Sequence, residues 1–248
     1  MKKLLISLCM MTVMTWAATA AKADGMMCNF GGGAVMREGT MFLGDGARAG
    51  VFGMFYKVSN AALASAGALV AVAETPRNSL YLLYFPRSAS AVVIALTDKV
   101  AFAVATGGDC GAGLPQRTVS SASPKEIPGD VLRFLNLLGM KCTVPEPMRN
   151  TGFAGVESGT VVTTDGRDYD LRLLRDIPAP VVADSAPYAE ARGTGHSINV
   201  FFTGAGTLLV KTTPGHDSTL RKMIARTVDN AKIDINERED GGHLAMCQ

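Results

Sequence analysis

The sequence predicts an α+β fold, a mainly antiparallel sheet packed by two or three helices and stabilised by disulfides. Three observations predict it. Apolar runs of strand length alternate with turn chemistry through the first half of the chain, and the connections are too short to carry crossover helices. Two segments, near 129–138 and 218–231, place apolar residues at helical spacing. Four cysteines remain once an N-terminal leader is set aside.

That leader comes first. Met1-Lys2-Lys3 is a charged opening, Leu4 to Ala17 is an apolar run, and Ala21-Lys22-Ala23 supplies the small-x-small pattern at which signal peptides are cleaved. The expected organisation is a bacterial signal peptide over 1–23 and a single mature domain over 24–248, starting at Asp24, with a sub-boundary in the loop 107–128. The apolar run falls short of the ~18–20 residues a span needs, so no integral membrane segment is expected after cleavage. The expected location is periplasmic or secreted. Lys2, Lys3 and Lys22 leave with the leader, so 24 basic residues become 21 against 22 acidic ones. With a net charge near −1 and no dense basic run, no nucleic-acid partner is expected.

Within the mature chain, Met41-Phe42-Leu43 reads as a strand ending at the turn Gly44-Asp45-Gly46, and Val51 to Val58 as a further strand. Asn60 to Ala66 is balanced between helix and strand. Gly67 to Glu74 and Leu80 to Phe85 flank the turn Thr75-Pro76-Arg77-Asn78, and Ala91 to Thr97 and Val100 to Thr106 flank Asp98-Lys99. Ala91-Val92-Val93-Ile94-Ala95-Leu96 has no polar face, as expected of a strand covered on both sides. Pro128 opens a helix whose stripe is Val131, Leu132, Phe134, Leu135 and Leu138, and Gly139 stops it. Thr160 to Thr164 and Arg167 to Leu173 flank Asp165-Gly166, a strong hairpin signal. Ile177 to Pro187 reads as irregular, Pro187 to Arg192 as a helical turn, and Asn236 to Gln248 as a polar tail. No internal repeat is visible.

Cys28, Cys110, Cys142 and Cys247 are the disulfide candidates. An even count in an exported chain points to two bridges, and the pairing expected from loop plausibility is Cys110–Cys142 with Cys28–Cys247. No pair has the C-x-x-C spacing of a zinc site.

The chemical motifs are sparse. Gly44-Asp45-Gly46-Ala47-Arg48-Ala49 has the spacing of a dinucleotide loop, but a strand-like run follows where a helix N-terminus is needed, so a turn is expected and no cofactor. No G-x-S-x-G elbow is present; Ser158 and Ser197 are the serines in suggestive settings, and Ser197, adjacent to His196 on a strand, points away from it. The acids of 229–240 miss the alternating positions of a calcium loop.

Two histidines remain, flanking a hairpin. Ser197 to Thr203 and Thr207 to Thr213 are expected to close at Thr203–Thr207 around Gly204-Ala205-Gly206. That register sets Phe202 opposite Leu208 and Val200 opposite Val210, and places His196 diagonally from His216. Asp217 is expected to cap the following helix, whose stripe is Leu220, Met223, Ile224, Val228 and Ala231. His196, His216 and Asp217, with His243 as another possible third ligand, are the candidate metal residues. The expectation is a non-enzymatic exported protein that binds a protein or cell-envelope component. The alternative is a periplasmic hydrolase or metal-binding protein using His196 and His216.

Overall fold

A computed structural model describes residues 26–111, 119–143, 153–175, 189–193, 196–203, 206–212 and 242–247. The chain builds nine strands before its main helix: β1 (Cys28–Asn29), β2 (Val35–Arg37), β3 (Thr40–Phe42), β4 (Arg48–Val51), β5 (Tyr56–Lys57), β6 (Leu69–Glu74), β7 (Ser79–Phe85), β8 (Ser90–Leu96) and β9 (Val100–Cys110). Helix α1 (Ala61–Ser65) lies between β5 and β6, and α2 (Gly129–Gly139) follows β9. Beyond α2 come β10 (Lys141–Thr143), β11 (Phe153–Glu157), β12 (Thr160–Thr163), β13 (Asp168–Asp170), β14 (Arg172–Leu174), β15 (Ala189–Gly193), β16 (His196–Thr203), β17 (Gly206–Thr212) and β18 (Gly242–Cys247).

This overturns the α+β expectation. The protein is mostly antiparallel sheet curled into a half-barrel, and α1 and α2 are the two α-helices among its described residues. The reason is local. Short turns fold β3 and β4, and likewise β7, β8 and β9, each back onto the strand before, and the Ala-rich stretch yields only the five-residue α1 before Leu69 to Glu74 enters the sheet. Asn60 caps α1 by accepting from the Leu63 amide at 3.1 Å, and Gly67 ends it with φ of 73°.

In the first half the ladder runs β5-β6-β7-β8-β9-β1-β2-β3-β4, and β4 returns against β6. Gly50 makes that return possible: a Cβ there would lie 2.8 Å from Leu80 Cδ1 and 3.3 Å from Ala73 Cβ. The concave side holds one core, built around Met36, Met41, Phe52, Phe55, Leu82 and Val93. The other face of β7 and β8 (Leu83, Val92, Ile94) packs under α2, which buries Val131, Phe134 and Leu137. The unbroken apolar run of β8 is therefore explained as expected, by cover on both sides. That helix was also legible from its stripe, and Pro128 stands just before it.

Several local expectations are corrected. Val51 to Val58 is not one strand: β4 ends at Val51 and β5 is only Tyr56–Lys57. β9 runs on past Thr106 to Cys110, into the expected boundary loop. Ala189 to Gly193 is a strand, not a helical turn, because it pairs with both β14 and β16. The polar tail contains β18, held between β17 and β10. The hairpin of β16 and β17 closes at Thr203↔Gly206, one residue tighter than expected, which sets Phe202 across from Thr207 and Val200 across from Leu209. A two-residue connection suits the twist of paired strands better than three, and the one-residue slip changes every facing pair. The expected helix near 218–231 and the leader lie outside the described residues.

The disulfide pairing is corrected as well. Cys28 bonds Cys110, not Cys247, and Cys110 is therefore not joined to Cys142. The cause is register: β1 lies on the C-terminal end of β9 with Cys28 directly opposite Cys110, Cα atoms 4.0 Å apart. Loop length gave no sight of that strand pairing.

Candidate functional site

Among the described residues, the second half pairs with the first through β9 and β14, in which Phe102 faces Arg172. On the first half, next to this seam, opens a mainly apolar hollow. Phe102 and Val104 of β9, Leu80 of β7, Leu43 just after β3 and Ala49 of β4 line this hollow of about 520 Å³. Its rim is the β6–β7 turn, Thr75-Pro76-Arg77-Asn78. That size falls within the range of small-molecule and side-chain binding clefts, and the lining is mainly apolar.

The rim is rigidly made. The Thr75 amide donates to the Asn78 carbonyl at 2.9 Å, and the Asn78 amide donates to Thr75 Oγ1 at 3.1 Å. This local hydrogen bonding presents Arg77 outward, exposed and without an ion pair among the described residues. A second cation borders the floor: the Arg172 guanidinium sits 5.7 Å from the centroid of the Phe102 ring. Ala49 reaches the hollow because the β3–β4 pairing shifts by one residue there, leaving it as the extra residue of a bulge between Arg48 and Gly50.

A second hollow, about 370 Å³, lies between the sheet and α2, bordered by Phe85, Val92, Leu135, Leu138, Thr106 and Ser158. Ser158 itself is exposed on the tight β11–β12 turn, with φ of 52°. Its turn geometry accounts for its setting.

The remaining sequence candidates are dispersed. Gly44 to Ala47 is a hairpin turn that leads into Arg48 and Ala49 of β4, with the Asp45 carboxylate accepting from the Ala47 amide at 2.9 Å and Gly46 at φ of 82°. His196 opens β16 opposite Gly193. His243 lies on β18 opposite Leu209, which in turn faces Val200. Four residues along and two strands across separate the backbones of His196 and His243 by about 16 Å. His216 and Asp217, and the acids of 229–240, lie outside the described residues. Among the described residues, no three His, Cys, Asp or Glu side chains gather as a metal site.

Electrostatic organisation centres on Asp130, in the first turn of α2. Its carboxylate accepts from Arg175 Nε at 2.8 Å and from Arg133, and Arg175 also donates to the Thr97 carbonyl of the β8–β9 turn. Burial alone raises the Asp130 carboxyl, but the hydrogen bonds from Arg175 and Arg133 outweigh it and hold the group below its ordinary value. The node joins α2, the first half and the end of β14, so its role is structural. The rim cation Arg77 and the apolar floor gave no sequence signal beyond a turn and a strand, since only the fold brings Phe102, Leu80 and Leu43 together.

Among the described residues, no helix is long and apolar enough to cross a membrane. No known protein family, curated protein or solved structure matches the chain.

Proposed function

We propose that the protein is exported, cleaved before Asp24, and acts as a binding protein whose contact surface is the hollow beneath Arg77. The ligand has an apolar group to fill the space over Phe102, Val104 and Leu80 and an adjacent anionic group to pair with Arg77, with Arg172 beside the floor. Such chemistry is offered by a protein segment or by an envelope lipid.

The observation that carries this reading is the combination of an apolar hollow with an exposed rim cation that has no ion pair among the described residues. An anion beside apolar surface would gain a charge-assisted contact while covering area that otherwise faces water. Export is supported by the leader and by the buried Cys28–Cys110 bond, a kind of bridge that persists in oxidising compartments.

The test is in-cell photo-crosslinking from position 78 on the rim, with position 126, outside the hollow, as the control. The expected result is an adduct specific to position 78 that Arg77→Glu abolishes. A protein-sized band shift identifies a protein segment, and a lipid-sized mass increment identifies a lipid. An adduct equally strong from position 126, or one indifferent to Arg77→Glu, would refute the proposal.

A further inference from the structure

The two halves of the sheet share one plan. The first runs β5-β6-β7-β8-β9-β1-β2-β3-β4, and the second runs β14-β15-β16-β17-β18-β10-β11-β12-β13. Adding nine to each strand label converts one order into the other. In both, the first strand of the half pairs with its last, and the fourth returns beside the sixth.

The correspondence extends to individual backbone groups. The β2–β3 turn has Glu38 and Gly39 at φ of 49° and 73°, and the β11–β12 turn has Ser158 and Gly159 at 52° and 78°. The Phe52 amide donates to the Gly39 carbonyl at 2.7 Å, and the Leu171 amide donates to the Gly159 carbonyl at 2.9 Å. In the next turn, Asp45 accepts from the Ala47 amide and Asp165 accepts from the Arg167 amide, with Gly46 and Gly166 at φ of 82° and 78°. The buried pairs correspond too: Met36 and Met41 in one half, Val156 and Val161 in the other. From Met36 to Gly46 the offset between the halves is constant, and it shifts by one residue after Ala49, the bulge that only the first half contains.

Residue identity survives where the backbone demands it, as in Gly39-Thr40 with Gly159-Thr160 and Asp45-Gly46 with Asp165-Gly166. Elsewhere it has gone, which is why no repeat was visible from the sequence.

We propose that the chain is a tandem duplication of one nine-strand module, and that each copy is closed by a disulfide between its first and last strands. In the first copy this is Cys28–Cys110. In the second, β10 and β18 place Cys142 directly opposite Cys247, and the neighbouring pairs Asn29↔Asp109 and Thr143↔Met246 match. Cys142 is disulfide-bonded, Cys28 and Cys110 already hold each other, and Cys9 belongs to the leader sequence. Cys247 is the partner that register and elimination both select. Forming the bond releases one proton from each thiol and passes two electrons to a disulfide-class oxidant, which leaves as the dithiol.

The copies have diverged in use. Leu43 lines the first copy's hollow where the second has Thr163, and the bulged Ala49 has no counterpart.

The test is peptide mapping of the whole exported protein without reduction, alongside Cys142→Ala. The expected map contains Cys28 linked to Cys110 and Cys142 linked to Cys247, with no alkylated cysteine. The variant should expose one reactive thiol, at Cys247. Linkage of Cys142 to Cys28, to Cys110 or to a second chain would overturn the proposal, as would alkylation of Cys142 in the unreduced protein. The map of the unsubstituted protein decides the matter even if the variant fails to fold.

Discussion

Replacing Asp130 with Asn isolates the node that ties helix α2 to both halves of the sheet. The change preserves shape but removes the charge that receives Arg175 and Arg133. Hydrogen bonds to charged groups contribute about 1.5–3 kcal/mol each when partly buried, and the Asp130 and Arg175 side chains are 13% and 26% exposed. The Arg133 contact is an i,i+3 pair worth about 0.2–0.5 kcal/mol. The Asn carbonyl can still accept one bond, and Arg175 keeps its bond to the Thr97 carbonyl, so the expected loss is about 2 kcal/mol. For a domain of this size that corresponds to a fall in Tm of about 4–8 °C.

The loss should depend on pH in a defined direction. Asp130 has a lowered folded pKa, so its contribution is fully present above the unfolded value of about 3.9 and disappears as pH falls through the folded value. Urea unfolding of the two proteins should therefore differ by the full amount at pH 7 and converge in acid below about pH 4. A difference under about 0.5 kcal/mol at pH 7, or one unchanged between pH 7 and pH 3, would refute the reasoning.

Two further perturbations address the staple and the repeat. Cys28→Ala with Cys110→Ala opens a loop with a sequence separation of 82, and the chain-entropy relation gives a loss of about 4.5 kcal/mol; it is read by urea unfolding without reductant, which would open the Cys142–Cys247 bond as well, and a loss under about 1 kcal/mol would contradict it. Gly46→Ala and Gly166→Ala each force a side chain into positive φ where nothing lies within 4 Å of the added Cβ. Equivalent turns should therefore lose similar stability, about 1 kcal/mol each, and a difference above about 1 kcal/mol between them would count against structural equivalence.

How far the fold could be read from residues depended on the range of the interaction. The α2 stripe, the β8 run and the Asp165-Gly166 turn are encoded within a few positions and were legible, although the expected strand Arg167 to Leu173 is two, with β13 ending at Asp170 against β12 and β14 starting at Arg172 against β9. Strand partners distant in sequence were not. Cys28 finds Cys110 only because β1 lies along the end of β9, and β18 becomes a strand only because β17 and β10 flank it. The histidine pair suffered most from this: the expected hairpin face depended on a three-residue loop, and the observed tighter closure changes all its facing pairs. The hollow was invisible for the same reason, since Leu43, Leu80 and Phe102 read separately as ordinary strand residues. The duplication left a sequence trace only at turns, where positive φ or a side-chain cap restricts the residue choice.

The most direct test of the account is the intact mass of the protein recovered outside the cytoplasm, measured without reductant. The account predicts a chain beginning at Asp24 and lighter than its reduced form by one hydrogen for each of Cys28, Cys110, Cys142 and Cys247. A chain that retains its leader, or one whose mass does not change on reduction, would contradict it.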